Sequence, residues 1–302
     1  MNKYMKISNI MIQAYKKQVA IPAFNAAYLD MIKPISDALK EYKTIGIIQV
    51  SKPDIENFGA KSIKAVYEEY IKSADMMFTF LHLDHVPVID ENFMHVNWLD
   101  MIEEGITLGF DSVMIDGSRL KFEENVNITK TVVRIAHLKE ICVEAEIGYV
   151  FGHESTVPPP YEEIFAKKLG FTNVDEAARF VQLTGVDWLS VSAGSIHGAI
   201  SGAGKDQKKI RAKLDIEHLN KLKEATKIPL VLHGGTGVEI EYIKAAVKAG
   251  ITKINIGTEI RQAYENGIKN SQQYAENSVK ETIKKIIEDF EIKGSADILN
   301  PD

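Results

Sequence analysis

Residues 77–85 read MFTFLHLDH, an apolar run over 77–83 that ends on two chemically active side chains, Asp84 and His85. A segment of that length, rich in aromatic and aliphatic residues and stopped by polar ones, reads as a buried strand. The same construction recurs in both directions along the chain. Short apolar runs stand at 19–24 (VAIPAF), 45–50 (IGIIQV), 111–115 (DSVMI), 141–145 (ICVEA), 187–192 (DWLSVS), 229–232 (PLVL) and 253–256 (KINI). Between them lie helical patterns at 30–42, 62–74, 98–105, 125–139, 173–184, 216–226 and 239–249, with Gly105, Gly185 and Gly250 as helix stops. This is the βα repeat of a parallel sheet, and pattern alone fits either an open doubly wound sheet or a closed barrel.

The polar residues choose between them. Asn25, Ser51, Asp84 with His85, Asp116, Glu146, His197, His233 and Asn255 stand at or just past the C-terminal ends of successive strands. In a barrel those ends converge on one mouth, where barrel enzymes place their chemistry, whereas an open sheet would spread them along an edge. We therefore expect an α/β protein, a (β/α)8 TIM barrel with C-terminal helices in 263–302, built as one domain over 1–302. A barrel can fill a chain of this length as a single unit. The long segment 149–172, with Pro158-Pro159-Pro160, reads equally as a lid over the mouth or as a solvated insertion. A second irregular stretch, 198–211, is rich in Gly and Lys.

Composition narrows the partners. With 45% hydrophobic and 26% charged residues the chain has the balance of a globular protein, not of a disordered or membrane one. A net charge of −6 exerts no general pull on nucleic acid or anionic lipid, so an anionic metabolite needs a local cationic or amide-lined site. One cysteine, Cys142, excludes an intrachain disulfide, and residues 1–20 are amphipathic without a signal-peptide core. No apolar run approaches the roughly 20 residues that cross a bilayer. Cytoplasm is the expected compartment.

Taken singly, His85, His197 and His233 would each be read as a hydrogen-bonded structural residue, and His82 fits that reading too. Taken together, three imidazoles at the ends of strands three, six and seven can meet at the mouth, and three protein ligands with one open position describe a catalytic zinc site. Asp84, held beside a ligand, is the candidate acid/base. Asp116 in MIDGS (114–118) and Glu146 in EAEIG (144–148) suit an alternative metal position, a shell around the metal, or plain salt bridging. The run Gly234-Gly235-Thr236-Gly237 reads as a phosphate cradle opening a helix, where backbone amides face an anion.

These strings together resemble the class II fructose/tagatose-bisphosphate aldolases. FN (24–25), HLDH (82–85), SVMIDGS (112–118), VEAEIG (143–148), GSIHG (194–198), PLVLHGGTG (229–237) and KINIGTE (253–259) occur in family order, from about Ala20 to Gln262. The resemblance implies a zinc enzyme that reversibly cleaves a ketose phosphate to dihydroxyacetone phosphate and an aldehyde through a metal-stabilised enediolate. It implies His85, His197 and His233 as zinc ligands, Asp116 and Glu146 at the alternative metal position, Asp84 as acid/base, and Glu154 as the group that protonates the enediolate. It also implies a substrate and phosphate site from Asn25, Ser51, Gly198, Gly234, Gly235, Thr236, Asn255, Ile256, Gly257 and Thr258. The carbonyls of Ile196, Gly198 and Gly234 would hold a monovalent cation, and the enzyme would act as a homodimer or homotetramer.

The sequence also departs from that family. His197 and Gly198 are followed by Ala199-Ile200-Ser201, where many members carry a phosphate-holding lysine, and Gly257 replaces a frequent Asp or Asn. Lys52-Pro53-Asp54 follows Ser51 in place of a glycine turn, and the C-terminal DPR whose arginine binds the distal phosphate is missing from 263–302. We expect firm recognition of the C1 phosphate and weak recognition of one at C6, with Arg119, Lys52, Lys205 and Arg211 as candidate substitutes. A barrel hydrolase would show HxH on its first strand, and none is present. A non-catalytic sugar-phosphate-binding barrel would need neither Asp84 nor Glu154.

Overall fold

The computed structural model describes residues 6–151, 159–196 and 212–299. Eight strands close into a barrel in sequence order: β1 Ile21–Asn25, β2 Gly46–Ser51, β3 Thr79–Pro87, β4 Ser112–Asp116, β5 Cys142–Ile147, β6 Trp188–Val191, β7 Leu230–Leu232 and β8 Ile251–Ile256. Every neighbouring pair is parallel, and β8 returns to β1 through Ile21 to Phe24 against Lys253 to Ile256. The closed sheet is the (β/α)8 barrel that the strand-end residues called for.

Alternation along each strand sorts the core into two. Ile48 and Val50, Leu81 and Leu83, Val143 and Ala145, and Ile254 and Ile256 pack outward against the helices. Ile21, Ala23, Ile47, Phe80, Cys142, Trp188 and Val231 belong to a second apolar cluster, at the N-terminal ends of the strands. That cluster is closed by the N-terminal helix Ile7–Lys17, whose Ile7, Ile10, Met11 and Ala14 are buried. Within 1–20, the amphipathic helix Ile7–Lys17 is thus a barrel plug, with each buried aliphatic side chain contributing about 1.5–3 kcal/mol. One step up the same strands the interior turns polar, with Gln49, His82, Ser112, Glu144, Ser190 and Lys253 all buried.

Helix ends follow local chemistry. Asn173 caps Val174–Thr184 by accepting from the amides of Asp175 and Glu176, and Asp215 caps Ile216–Thr226 through His218. Two sequence expectations are corrected. The helix Trp98–Leu108 runs through Gly105 and stops at Gly109, which takes the left-handed conformation. Gly105 is there because a Cβ would meet Leu83 at 3.0 Å, so it allows close helix–strand packing. The 234–237 turn does not open a helix directly, since Ile240–Lys248 begins only after Val238 and Glu239.

Candidate active site

A regular strand points successive side chains to opposite faces, so Asp84 and His85 should not both enter the barrel. A bulge removes the conflict. Between Leu83 and Val86 strand β3 advances three residues while β4 advances two, from Val113 to Ile115. His85 takes a left-handed backbone with φ of 43°. That conformation costs a non-glycine residue about 1–3 kcal/mol, and such strain is commonly kept where function needs the geometry.

Asp84 is almost fully buried and held on both carboxylate oxygens. Oδ2 accepts from Asn25 Nδ2 and Gln49 Nε2, each at 3.1 Å, and Oδ1 accepts from Asn255 Nδ2 at 3.1 Å. Burial opposes its charge, but the nearby His85, Lys253, His233 and His82 outweigh it and hold the carboxyl well below the usual range. Across the mouth the His85 and His233 rings meet edge to face with centroids 4.3 Å apart. His85 Nδ1 lies 3.5 Å from Asp116 Oδ2.

His233 is wedged between two glutamates. Its Nε2 bonds Glu144 Oε1 at 2.9 Å, while Nδ1 lies 3.2 Å from Glu146 Oε2. Burial disfavours the imidazolium, yet the two carboxylates override it and raise the pKa to about 10. Two carboxylates on one imidazole make this an environment that favours a positive charge. Behind it, Lys253 Nζ sits 2.8 Å from Glu144 Oε2 and 3.8 Å from Asp84 Oδ1. Burial opposes the charge of Glu144, but Lys253 and then His233 bring its pKa down to about 2. His82 goes the other way, to about 3, through burial and the neighbouring Lys253, and its Nδ1 is 2.8 Å from Ser112 Oγ.

The donor set fits a metal ion. Asp84, His85 and His233 form one trio and His85, Asp116 and Glu146 another, each with ligand atoms within 4.8 Å of one another, and His85 belongs to both. Imidazoles with carboxylates suit zinc. The Glu144–His233 pairing is the outer-shell arrangement that fixes which ring nitrogen faces a metal. A third trio, His82, Asp84 and Glu144, already has Lys253 between its carboxylates. His197, Gly198 and Glu154 lie outside the described residues, as do Lys205 and Arg211; Ile196, just before His197, is buried.

On the β7–β8 side, Gly234 and Gly237 have φ of 70° and 87°, and a Cβ on Gly235 would reach Ile254 at 2.6 Å. Two helices start in this cleft, Ile240–Lys248 after Glu239 and Thr258–Gly267 with Gly257 at its N-cap, and Thr236, Gly237, Ile240 and Thr258 share one lining. Asn255, besides donating to Asp84, has a buried Oδ1 with no hydrogen-bond partner among the described residues. Ser51 has become a helix cap. Its amide and hydroxyl both donate to Asp54 Oδ2, at 2.9 and 2.7 Å, and Asp54 in turn accepts from Asn25.

Sequence reasoning missed Glu144, Lys253, Gln49 and Asp54. Three of them had a legible signal, since Glu144, Lys253 and Gln49 each stand two residues before Glu146, Asn255 or Ser51, one layer deeper on the same face.

The family model for fructose-bisphosphate aldolase class-II matches residues 5–296. The YdjI aldolase from Escherichia coli K12 is similar at 28% identity and a TM-score of 0.74, over 96% of this chain and 98% of that one. A putative fructose-1,6-biphosphate aldolase from Coccidioides immitis shares the fold at 23% identity and a TM-score of 0.76, over 98% and 99% of the two chains. The fructose-bisphosphate aldolase (Fba) from Campylobacter jejuni does so at 21% and 0.72, over 95% and 94%. Among the described residues no helix is long and apolar enough to cross a membrane. With a barrel mouth of this chemistry and a family match over nearly its whole length, the chain belongs to the class-II fructose-bisphosphate aldolases and is a carbon–carbon lyase.

Proposed function

We propose that the chain, acting as one catalytic domain, is a zinc-dependent ketose-bisphosphate aldolase of the fructose- or tagatose-1,6-bisphosphate type. It releases dihydroxyacetone phosphate and an aldehyde reversibly. The observation that carries the reading is the β3 bulge, which turns Asp84 and His85 into the mouth together, against His233.

His85, His197 and His233 would hold the metal, with Asp116 and Glu146 available at the alternative position. When bound, zinc supplies Lewis acidity toward the ketose carbonyl. Asp84, kept ionised by the positive groups around it and oriented by Asn25, Gln49 and Asn255, takes the proton of the C4 hydroxyl as the C3–C4 bond breaks. The electron pair stays with the three-carbon fragment, and Glu154 returns a proton to its C3. The 234–237 turn and the start of Thr258–Gly267 present amides to the C1 phosphate. Carbonyls of Ile196, Gly198 and Gly234 would take a monovalent cation. The setting is a cytoplasmic homodimer or homotetramer in carbohydrate metabolism.

A second reading, a ketose 1-phosphate aldolase, is favoured by Ser51, whose donors are spent on Asp54 and not on a distal phosphate. The test is release of dihydroxyacetone phosphate from a panel of ketose 1-phosphates and 1,6-bisphosphates, with and without chelator. We expect activity that chelation abolishes and zinc restores. Undiminished turnover in chelator refutes the metal, and release from none of the panel refutes the aldolase.

A further inference from the structure

The cleft beside His85 extends away from the phosphate cradle. The cradle belongs to β7 and β8, whereas this cleft lies at the C-terminal ends of β3, β4 and β5 and the loops after them, on the opposite side of the closed barrel: Glu91, Asp116, Arg119, Glu146 and Tyr149 line it together with His85, and Pro53 after β2 borders it. A ligand anchored by its phosphate at β7–β8 and crossing His85 and His233 would have this cleft on its far side.

Two described cations lie near this end. Lys52 is committed: Nζ is 2.6 Å from Glu56 and 3.6 Å from Asp90, and Glu91 also acts on it. Arg119 is not. Among the described residues its guanidinium reaches neutral acceptors, the carbonyl of Ile89 at 3.2 Å and the Tyr149 hydroxyl at 3.4 Å, and lies over the Tyr149 ring at 5.5 Å. Among the described residues no carboxylate comes within ion-pair distance of it. Those contacts fix the plane of the fork and leave further N–H donors for an oxyanion, which a guanidinium binds with two parallel bonds.

We propose that Arg119 is the specificity-determining residue for the aldehyde half of the substrate, binding an oxyanion, carboxylate or phosphate, at the end remote from the C1 phosphate. The proposal rests on the aldolase reading above and extends it.

The test runs the zinc-loaded full chain in the condensation direction, with dihydroxyacetone phosphate and three aldehydes: D-glyceraldehyde, D-glyceraldehyde 3-phosphate and succinate semialdehyde. A charge-assisted pair of this kind gives the anionic aldehyde an advantage of about 10-fold to 100-fold in kcat/KM over the neutral one. Arg119→Met should collapse that ratio toward one, and Arg119→Lys should restore part of it. Collapse confined to the phosphate, or to the carboxylate, names the group. A ratio equal in wild type and Arg119→Met overturns the proposal, because a merely structural loss would slow all three aldehydes alike. Titration calorimetry with the two anionic aldehydes gives a readout independent of turnover. Weaker binding to Arg119→Met by about 10-fold supports the site even if no aldehyde condenses, in which case the aldolase reading alone fails, and equal binding overturns the site.

Discussion

Lys253→Met removes one cation from the middle of the barrel while keeping most of the side-chain volume. Lys253 is fully buried, 2.8 Å from Glu144 and 3.8 Å from Asp84, which are themselves buried. Removing one partner of a buried ion pair leaves the other charge uncompensated and costs about 3–5 kcal/mol. At about 2 °C per kcal/mol for a large domain, the thermal midpoint of the metal-free protein should fall by about 6–10 °C. The second effect is on the metal. Glu144 accepts from His233 Nε2 and so leaves Nδ1 facing Glu146; without Lys253 on Oε2 the carboxylate gains a proton more readily, and its Oε1 then accepts from His233 more weakly. Outer-shell partners of metal-binding histidines are worth about 10–100-fold in affinity, so zinc binding measured against a chromogenic chelator should weaken by at least about 10-fold. Adding Glu144→Gln removes the stranded charge yet keeps a carbonyl for His233, and should recover most of the lost stability. If Lys253→Met melts within about 1 °C of wild type and binds zinc equally well, the buried pair does not support His233 and the argument fails.

Four further outcomes are expected. Asp84→Ala should lower carbon–carbon cleavage by about 10²–10⁴-fold with zinc content largely kept, and a wild-type cleavage rate would remove Asp84 from the base position. Glu154→Ala should slow exchange of the C3 proton of dihydroxyacetone phosphate, read by loss of label to water; an unaltered exchange rate assigns that proton elsewhere. Burial raises the Asp111 carboxyl to about 6 although it accepts from the Leu81 amide at 2.7 Å. The folded state therefore binds that proton more tightly than the unfolded one, and its contribution declines as pH rises from about 4 to 6, by about 3 kcal/mol. Asp111→Asn should gain on wild type over that window, and a pH-independent difference in unfolding free energy would contradict it. Ile10→Ala empties part of the barrel plug and should cost about 2–5 kcal/mol in denaturant unfolding; a loss under 1 kcal/mol would mean the helix is not integral to the core.

The strands were legible because a barrel buries them on both faces, so each appears as an uninterrupted apolar run whose limits fall within a few residues of the observed ones. Strand-end chemistry was legible for the same reason: Asn25, Asp116 and Glu146 interrupt runs that otherwise need no polar atom. Gly105 was misread because a helix stop and a close helix contact ask for the same residue, and only Leu83 against its missing Cβ separates the two. The 234–237 turn was read with the helix that follows it, Ile240–Lys248, but the cleft is shared with the start of Thr258–Gly267, after Gly257 on the next strand. Such cross-strand neighbours are invisible to any reading that moves along the chain.

The β3 bulge marks where local reading stops. Strict alternation assigns His82 and Asp84 to the interior and expels His85, so the sequence pattern and the metal hypothesis disagree at one residue. The added residue between Leu83 and Val86 settles that disagreement, with His85 accepting a left-handed backbone that the pattern would never choose for it. The conformation is held from outside the strand. Asp84 is gripped by Asn25, Gln49 and Asn255 from β1, β2 and β8, and His85 meets Asp116 from β4 and His233 after β7. No nearest-neighbour preference encodes those contacts, because they come from four or five separate strands and exist only once the barrel has closed. An acid/base and a metal ligand on consecutive residues thus require both the strained bulge and a closed sheet to hold it, which ties the chemistry proposed for Asp84 and His85 to this fold.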